Sequence, residues 1–170
     1  MENEDREDNG IRIKKTEKYP NGEYEGEFRE DVREGYGIYT WKNGSSYEGY
    51  FKDNKFDGKG LFIWSNGEIY EGEFKNGVKE GKGKYTYTNN SIYDGDFKDG
   101  KREGKGIFYF GKNGSRYEGD FKKDKRDGNG IFYYGNGDRE MGNYANDKKV
   151  GKHVLMKKNG DIETKDYDFI

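Results

Sequence analysis

The sequence predicts an all-β protein, an elongated single-sheet solenoid built from consecutive antiparallel β-hairpins in about six repeated units. Three observations predict it. A Tyr-x-Gly-x-Phe segment recurs at Tyr24, Tyr47, Tyr70, Tyr93 and Tyr117, with spacings of 23, 23, 23 and 24 residues, and a degenerate copy, EMGNY, begins at Glu140. A Gly-x-Gly follows each of the first five copies eleven residues later, and the sixth keeps Gly151 but has His153 in the last position. Finally, apolar residues make up only 29% of the 170 residues and charged residues 39%, yet 17% are aromatic. A chain that poor in aliphatics folds only if rings, each able to bury about 150–250 Å², supply its core.

Taken in order, residues 1–10 carry five acids and one arginine and read as a disordered acidic tail. Residues 11–23, IRIKKTEKYPNGE, read as a strand and turn that pair with the first unit. Units then start near 24, 47, 70, 93, 117 and 140, giving a rod over 11–162, with 163–170 as a C-terminal cap or tail. Within a unit the period is two: Tyr47, Gly49 and Phe51 share one face of a strand, and Glu48 and Tyr50 the other. In the strand after each Gly-x-Gly, Gly37, Tyr39 and Trp41 share a face, as do Gly60, Phe62 and Trp64, and then Gly83, Tyr85 and Tyr87. Asn-Gly at 43, 66, 113, 136 and 159, and Asn-Asn at 89, supply the positive-φ residues of hairpin turns. The extra residue of the fifth unit, Gly111, falls beside such a turn. The remaining six-residue stretches, REDVRE, KDNKFD, KNGVKE, KDGKRE, KKDKRD and ANDKKV, read as polar loops along one edge.

Seventeen glycines occupy the three recurring positions. Each costs about 0.5–1 kcal/mol relative to alanine in a strand. So large a sum is tolerable only if side chains there would clash, which predicts that rings from neighbouring strands lie across bare glycine backbone. With two strands per unit at about 4.8 Å each, six units make a rod roughly 60 Å long.

Composition also narrows function. Without cysteine there is neither disulfide nor thiolate chemistry, and the expected compartment is intracellular, in the cytoplasm. The N-terminus has no apolar run to serve as an export signal, and no stretch approaches the roughly 20 apolar residues of a membrane span. Net charge is −2, which lacks the basic footprint of a nucleic-acid binder. The segment YEGEFKNGVKEGKGKY at 70–85 has the glycine and lysine of a phosphate loop, but it recurs in every unit and lacks the Lys-Ser/Thr pair leading into a helix. DREDNG at 5–10 resembles the start of a calcium loop, but its twelfth position is Thr16. His153 is the single histidine, so no triad or metal site is built on it. No cofactor, metal or catalytic set is expected, and the protein is expected not to be an enzyme.

The recurring residues closely resemble the MORN (membrane occupation and recognition nexus) repeat, with its Tyr-x-Gly-x-Phe/Trp, polar loop, Gly-x-Gly-x-Tyr/Phe-x-Tyr/Trp and turn, over roughly Tyr24 to Ile162. Departures cluster at the C-terminal end, where Glu140 replaces the leading Tyr, and Glu163 and Lys165 stand at the next unit's Tyr and Gly positions. An atypical end suits a solenoid cap and equally a homodimer contact. The resemblance implies a curved, twisted β-sheet solenoid. It also implies a scaffold that tethers cytoskeletal, ciliary or membrane-associated components by binding a partner helix or extended segment along an aromatic groove. Tyr39, Trp41, Phe62, Trp64, Tyr85, Tyr87, Phe108, Phe110, Phe132 and Tyr134 form the candidate partner-binding ladder. A second candidate is the loop edge, which turns basic toward the C-terminal half through Lys101, Arg102, Lys122, Lys123, Lys125, Arg126, Lys148 and Lys149. That edge suits anionic phospholipid at a membrane surface, or an acidic partner.

Overall fold

The computed structural model describes residues 11–168. Fourteen strands follow one another: β1 Ile13–Tyr19, β2 Gly22–Arg29, β3 Val32–Trp41, β4 Ser46–Lys52, β5 Lys55–Ile63, β6 Ile69–Lys75, β7 Val78–Thr86, β8 Ile92–Lys98, β9 Lys101–Tyr109, β10 Arg116–Lys122, β11 Lys125–Tyr133, β12 Arg139–Ala145, β13 Lys148–Met156 and β14 Ile162–Tyr167. Each pairs antiparallel with the next, so the sheet is single, open and in chain order. The acidic tail expected at 1–10 lies outside the described residues. β14 runs across the expected boundary at 162 and pairs with β13 from Met156↔Ile162 to Gly151↔Tyr167.

Two kinds of turn alternate. Between β3 and β4, Gly44 N–H donates to the Trp41 carbonyl (3.0 Å) and Ser45 N–H to Asn43 Oδ1 (2.9 Å). Only the second residue of each Asn-Gly or Asn-Asn pair has positive φ, 90° at Gly44 and 64° at Asn90 for example, while the asparagine caps the loop through its side chain. The six polar stretches read as loops are instead two-residue turns with both central residues at positive φ: Glu30 and Asp31, Asp53 and Asn54, Asn76 and Gly77, Asp99 and Gly100, Lys123 and Asp124, Asn146 and Asp147. These are type I′ turns, whose twist matches that of the flanking strands. Four of the six residues in each stretch therefore belong to strands.

Both turn edges are stitched from unit to unit. Ser65 N–H donates to Ser45 Oγ (3.0 Å), Gly111 to Ser91 (3.2 Å) and Gly135 to Ser115 (3.1 Å), and these three serines are buried. On the opposite edge, the acid closing one stretch accepts from the next turn: Asp57 from Asn76 N–H (3.1 Å), Glu80 from Asp99 (3.0 Å), Glu103 from Lys123 (2.9 Å) and Asp127 from Asn146 (3.1 Å). The recurring acids of this edge thus hold the stack in register.

Across the middle of the sheet runs an unbroken stripe of paired glycines, Gly26↔Gly37↔Gly49↔Gly60↔Gly72↔Gly83↔Gly95↔Gly106↔Gly119↔Gly130↔Gly142. Each leading tyrosine lies over the glycine two residues on in its own strand and over that glycine's cross-strand partner. A Cβ on Gly72 would stand 2.6 Å from Tyr70 Oη and one on Gly83 2.6 Å from Tyr70 Cζ. The expected ring from the neighbouring strand thus covers the second glycine of each Gly-x-Gly, and the same ring also covers the glycine of its own strand. The first glycine of each Gly-x-Gly has a different reason. Gly35, Gly58, Gly81, Gly104, Gly128 and Gly151 have φ between 64° and 112°, and they sit where the register shifts in each hairpin. A bulge there leaves an amide to satisfy, and Tyr36 N–H goes to Glu27 Oε2 (2.9 Å), Lys105 to Asp96 (3.1 Å) and Asn129 to Asp120 (2.9 Å).

Candidate partner-binding face

Apart from an edge-to-face contact of Tyr36 with Tyr50, the ring packing lies on one face, in two rows. The inner row is the core: Tyr24, Tyr47, Tyr70, Tyr93 and Tyr117 have no exposed surface, and Phe28, Phe51, Phe74, Phe97 and Phe121 are buried beside them. Each tyrosine meets its own unit's phenylalanine and the next unit's Phe, or Tyr144 in the last case, edge to face at 4.9–5.3 Å and 77–89°. That geometry suits the ring quadrupoles and links every unit to the next. The hydroxyl is not wasted, for Tyr24 Oη donates to the Glu27 carbonyl (3.0 Å), Tyr47 to Tyr50 (2.9 Å) and Tyr70 to Glu73 (2.9 Å). Burial, the largest influence on it, pushes the Tyr24 hydroxyl up to about 12, and it raises the other four as well.

The outer row is the predicted ladder. Tyr39, Trp41, Phe62, Trp64, Tyr85, Tyr87, Phe108, Phe110, Phe132 and Tyr134 touch in that order without a gap, at centroid separations of 4.4–5.8 Å. Tyr39 is buried at 5% exposure, and the other nine are half-buried. Around Phe108, Phe110 and Phe132 the surface sinks into a pocket of about 250 Å³, flanked by Arg102 and Arg126. The opposite face of the sheet mixes charged with apolar side chains. Lys82 pairs with Asp96 and Lys105 with Asp120, both at 2.5 Å, and Tyr36 and Tyr50 stand exposed in a shallow trough of about 640 Å³.

The expected basic edge divides. Lys101, Lys122, Lys123, Lys125 and Lys148 remain exposed at the type I′ turns, but Arg102, Arg126 and Lys149 turn onto the ring face. The cause is the short turn: pairing resumes at once, so Arg102 lies opposite Phe97, Arg126 opposite Phe121 and Lys149 opposite Tyr144, sharing their face. Their equivalents are Arg33, Phe56 and Lys79, which sequence reading left in the loops. Phe56 stacks on Tyr47 at 3.8 Å and 21°. The arginines instead lie over rings and reach the next unit's turn, Arg33 to Asn54, Arg102 to Asp124 and Arg126 to Asp147. A signal for this was present: wherever the position is Arg, the turn residue of the next unit is Asn or Asp, and where it is Phe56 or Lys79 that residue is Gly77 or Gly100.

The sixth unit departs from this pattern. Glu140, in the tyrosine slot, is 1% exposed, and it accepts from Lys149 Nζ (2.6 Å), Tyr134 Oη (2.5 Å) and Tyr167 Oη (2.9 Å). Burial alone would raise its pKa, but these three bonds outweigh burial and hold the carboxyl below its ordinary 4.5. His153 is fully buried and fills the space over Gly142, with Nε2 2.8 Å from the Asn143 carbonyl. A carbonyl only accepts, so Nε2 carries the proton. Its Nδ1 faces Glu140 Oε1 at 3.4 Å without a hydrogen bond. Among the described residues no group of three His, Cys, Asp or Glu could hold a metal ion, and no helix is long and apolar enough to cross a membrane.

Comparison with known proteins agrees with the repeat. The family model for the MORN repeat matches five consecutive stretches, 24–46, 47–69, 70–92, 93–115 and 117–139. No curated protein matches the chain. Among solved structures, the TCP domain of SAS-4 (dCPAP) from Drosophila melanogaster, in complex with a proline-rich motif of Ana2 (dSTIL), is similar at a TM-score of 0.46 and 17% identity, over 89% of this chain and 88% of that one.

Proposed function

The chain belongs to the MORN-repeat family, and from that premise we propose that it is a non-catalytic scaffold that holds a protein partner, as a helix or extended segment, along its ring face. In the cell it would tether cytoskeletal or ciliary components. One observation carries this reading: ten contiguous rings, nine of them half-buried, run from β3 to the end of β11 on a sheet that has no second layer among the described residues. Contiguous aromatic surface of this kind marks interaction sites, and tryptophan is enriched where binding energy concentrates. Trp41 and Trp64 sit in that row. Trp41→Ala combined with Trp64→Ala should abolish co-purification of the partner from native cells while far-ultraviolet circular dichroism still reports the sheet. Undiminished co-purification would remove the ring-face reading.

A peripheral membrane contact ranks second. It draws on the exposed Lys101, Lys122, Lys123, Lys125 and Lys148 alone, since the other three predicted cations are engaged on the ring face. Flotation with anionic liposomes should weaken with salt and with Lys122, Lys123 and Lys125 changed to Glu. Salt-independent flotation would count against it.

A further inference from the structure

The cations of the ring face are not equivalent. Arg33, Arg102 and Arg126 each reach an Asn or Asp of the next turn, and Lys149 reaches Glu140. Lys79 is in the same row, half-buried, with Nζ 4.5 Å from the Tyr85 ring centroid, 5.2 Å from Phe97, 5.5 Å from Tyr70 and 6.0 Å from Trp64. Among the described residues it has neither an ion pair nor a hydrogen-bond acceptor, because the turn residue that would supply one is Gly100. Two carboxylates act on its charge from a distance, but Asp124 is held by Arg102 and Glu68 accepts from Tyr85 Oη at 2.8 Å. Burial pushes the Lys79 ammonium below its ordinary value. Ring faces compensate an ammonium only in part, whereas a charge-assisted hydrogen bond in a partly dry site is stronger.

Resting on the scaffold reading, we propose that the ring face takes a peptide segment bearing a single carboxylate that seats on Lys79, with apolar side chains on either side of it. On one side lie Phe56 and Phe62, in a unit with no inward cation, and Trp41 packs against both. On the other lies the 250 Å³ pocket of Phe108, Phe110 and Phe132, whose flanking arginines already hold Asp124 and Asp147. One cation is left to match, so the segment needs one acid rather than an acidic tract. Units repeat at about 10 Å, two strands of about 4.8 Å. The nearest apolar anchor therefore falls two or four residues from the acid in an extended segment, about 7 to 13 Å along the same face, or about six to seven in a helix.

The test is selection of displayed random 16-residue peptides on the full chain, in parallel with Lys79→Met, which keeps the apolar stem and removes the charge. Peptides selected on the unaltered chain should share one Asp or Glu at fixed spacing from an aromatic or aliphatic residue. They should bind Lys79→Met at least about tenfold more weakly, and changing their acid to the amide should cost the same factor on the unaltered chain and nothing on Lys79→Met. A second variant, Lys79→Arg with Gly100→Asp, rebuilds the internal pair of the sister units and should weaken the same peptides without lowering the melting temperature. Peptides that need Trp64 but ignore Lys79, or equal acid enrichment on Lys79→Met, would overturn this inference and leave the scaffold reading standing. No selected peptide, or none sensitive to Trp64→Ala, would overturn both.

Discussion

The first five units and the sixth solve one packing problem with exchanged parts. In the first five, a tyrosine at the leading position lies over a glycine pair and donates from its hydroxyl to the carbonyl three residues on. In the sixth, the ring comes from the other strand: His153 stands at the cross-strand glycine position, covers Gly142, and bonds the Asn143 carbonyl, again three residues beyond the leading position. What the site demands is a flat ring with a donor at its tip, over open backbone. It does not demand that the ring belong to a particular residue. The vacated leading slot then receives Glu140, whose bonds to Tyr134, Lys149 and Tyr167 tie the end of β11 to β13 and β14. The regular units gain cohesion from ring edges, and the terminal unit from a buried carboxylate hub.

The largest expected effect is on the regular units. Tyr70→Ala removes a fully buried ring that touches two phenylalanines, and should cost about 3–5 kcal/mol in denaturant unfolding. In the sixth unit, Glu140→Gln should cost about 1.5–3 kcal/mol at neutral pH, the range for hydrogen bonds to a charged group. Glu140 has its pKa depressed in the fold, so its stabilisation is present above the unfolded value and is lost as pH falls through the folded one. The gap between the melts of the two proteins should therefore be full at pH 7 and close below about pH 4; a gap unchanged at pH 3 would remove the hub as its source. Gly83→Ala should cost about 1–3 kcal/mol by overpacking against Tyr70, while Gly67→Asn, at a loop glycine with open space around it, should cost under about 1 kcal/mol, the strain of a positive φ that Asn90 already bears at the equivalent position. Equal losses for both would mean that the stripe is not kept bare for the rings. The subtlest comparison is the exchange itself. Glu140→Tyr and His153→Gly should each destabilise, the one by crowding two rings over Gly142 and the other by uncovering it. Together they should recover at least about 1 kcal/mol relative to additivity, within the range for contacting residues. Strict additivity would mean that the two slots do not share one space.

Much of this was legible in the repeat. The recurring Tyr-x-Gly-x-Phe marked the five stretches that the family model matches, the period of two placed Tyr39, Trp41, Phe62, Trp64 and their successors on one face, and their contacts follow that order. Period alone does not separate Tyr70 from Tyr85, which share that face, though one has no exposed surface and the other is half-buried. The polar stretches were the harder part. A two-residue type I′ turn and a six-residue loop draw on the same Asp, Asn, Gly and Lys, so Arg102 and Lys79 looked like rim charges until strand pairing showed them opposite Phe97 and Phe74. The first glycine of each Gly-x-Gly looked like the second, since composition does not record the sign of φ.

By itself, the sequence determined the hairpin order and the side of the sheet that carries rings. Those follow from local spacing, which needs no distant partner. The tertiary structure alone decided which rings are core, which cations face inward, and that His153 and Glu140 jointly replace a tyrosine. Each of those depends on what the neighbouring strand or the next unit places within a few ångströms. Lys79 is the clearest case, for its missing partner becomes visible only when strand pairing sets Gly100 in the place from which Asn54, Asp124 and Asp147 meet the arginines.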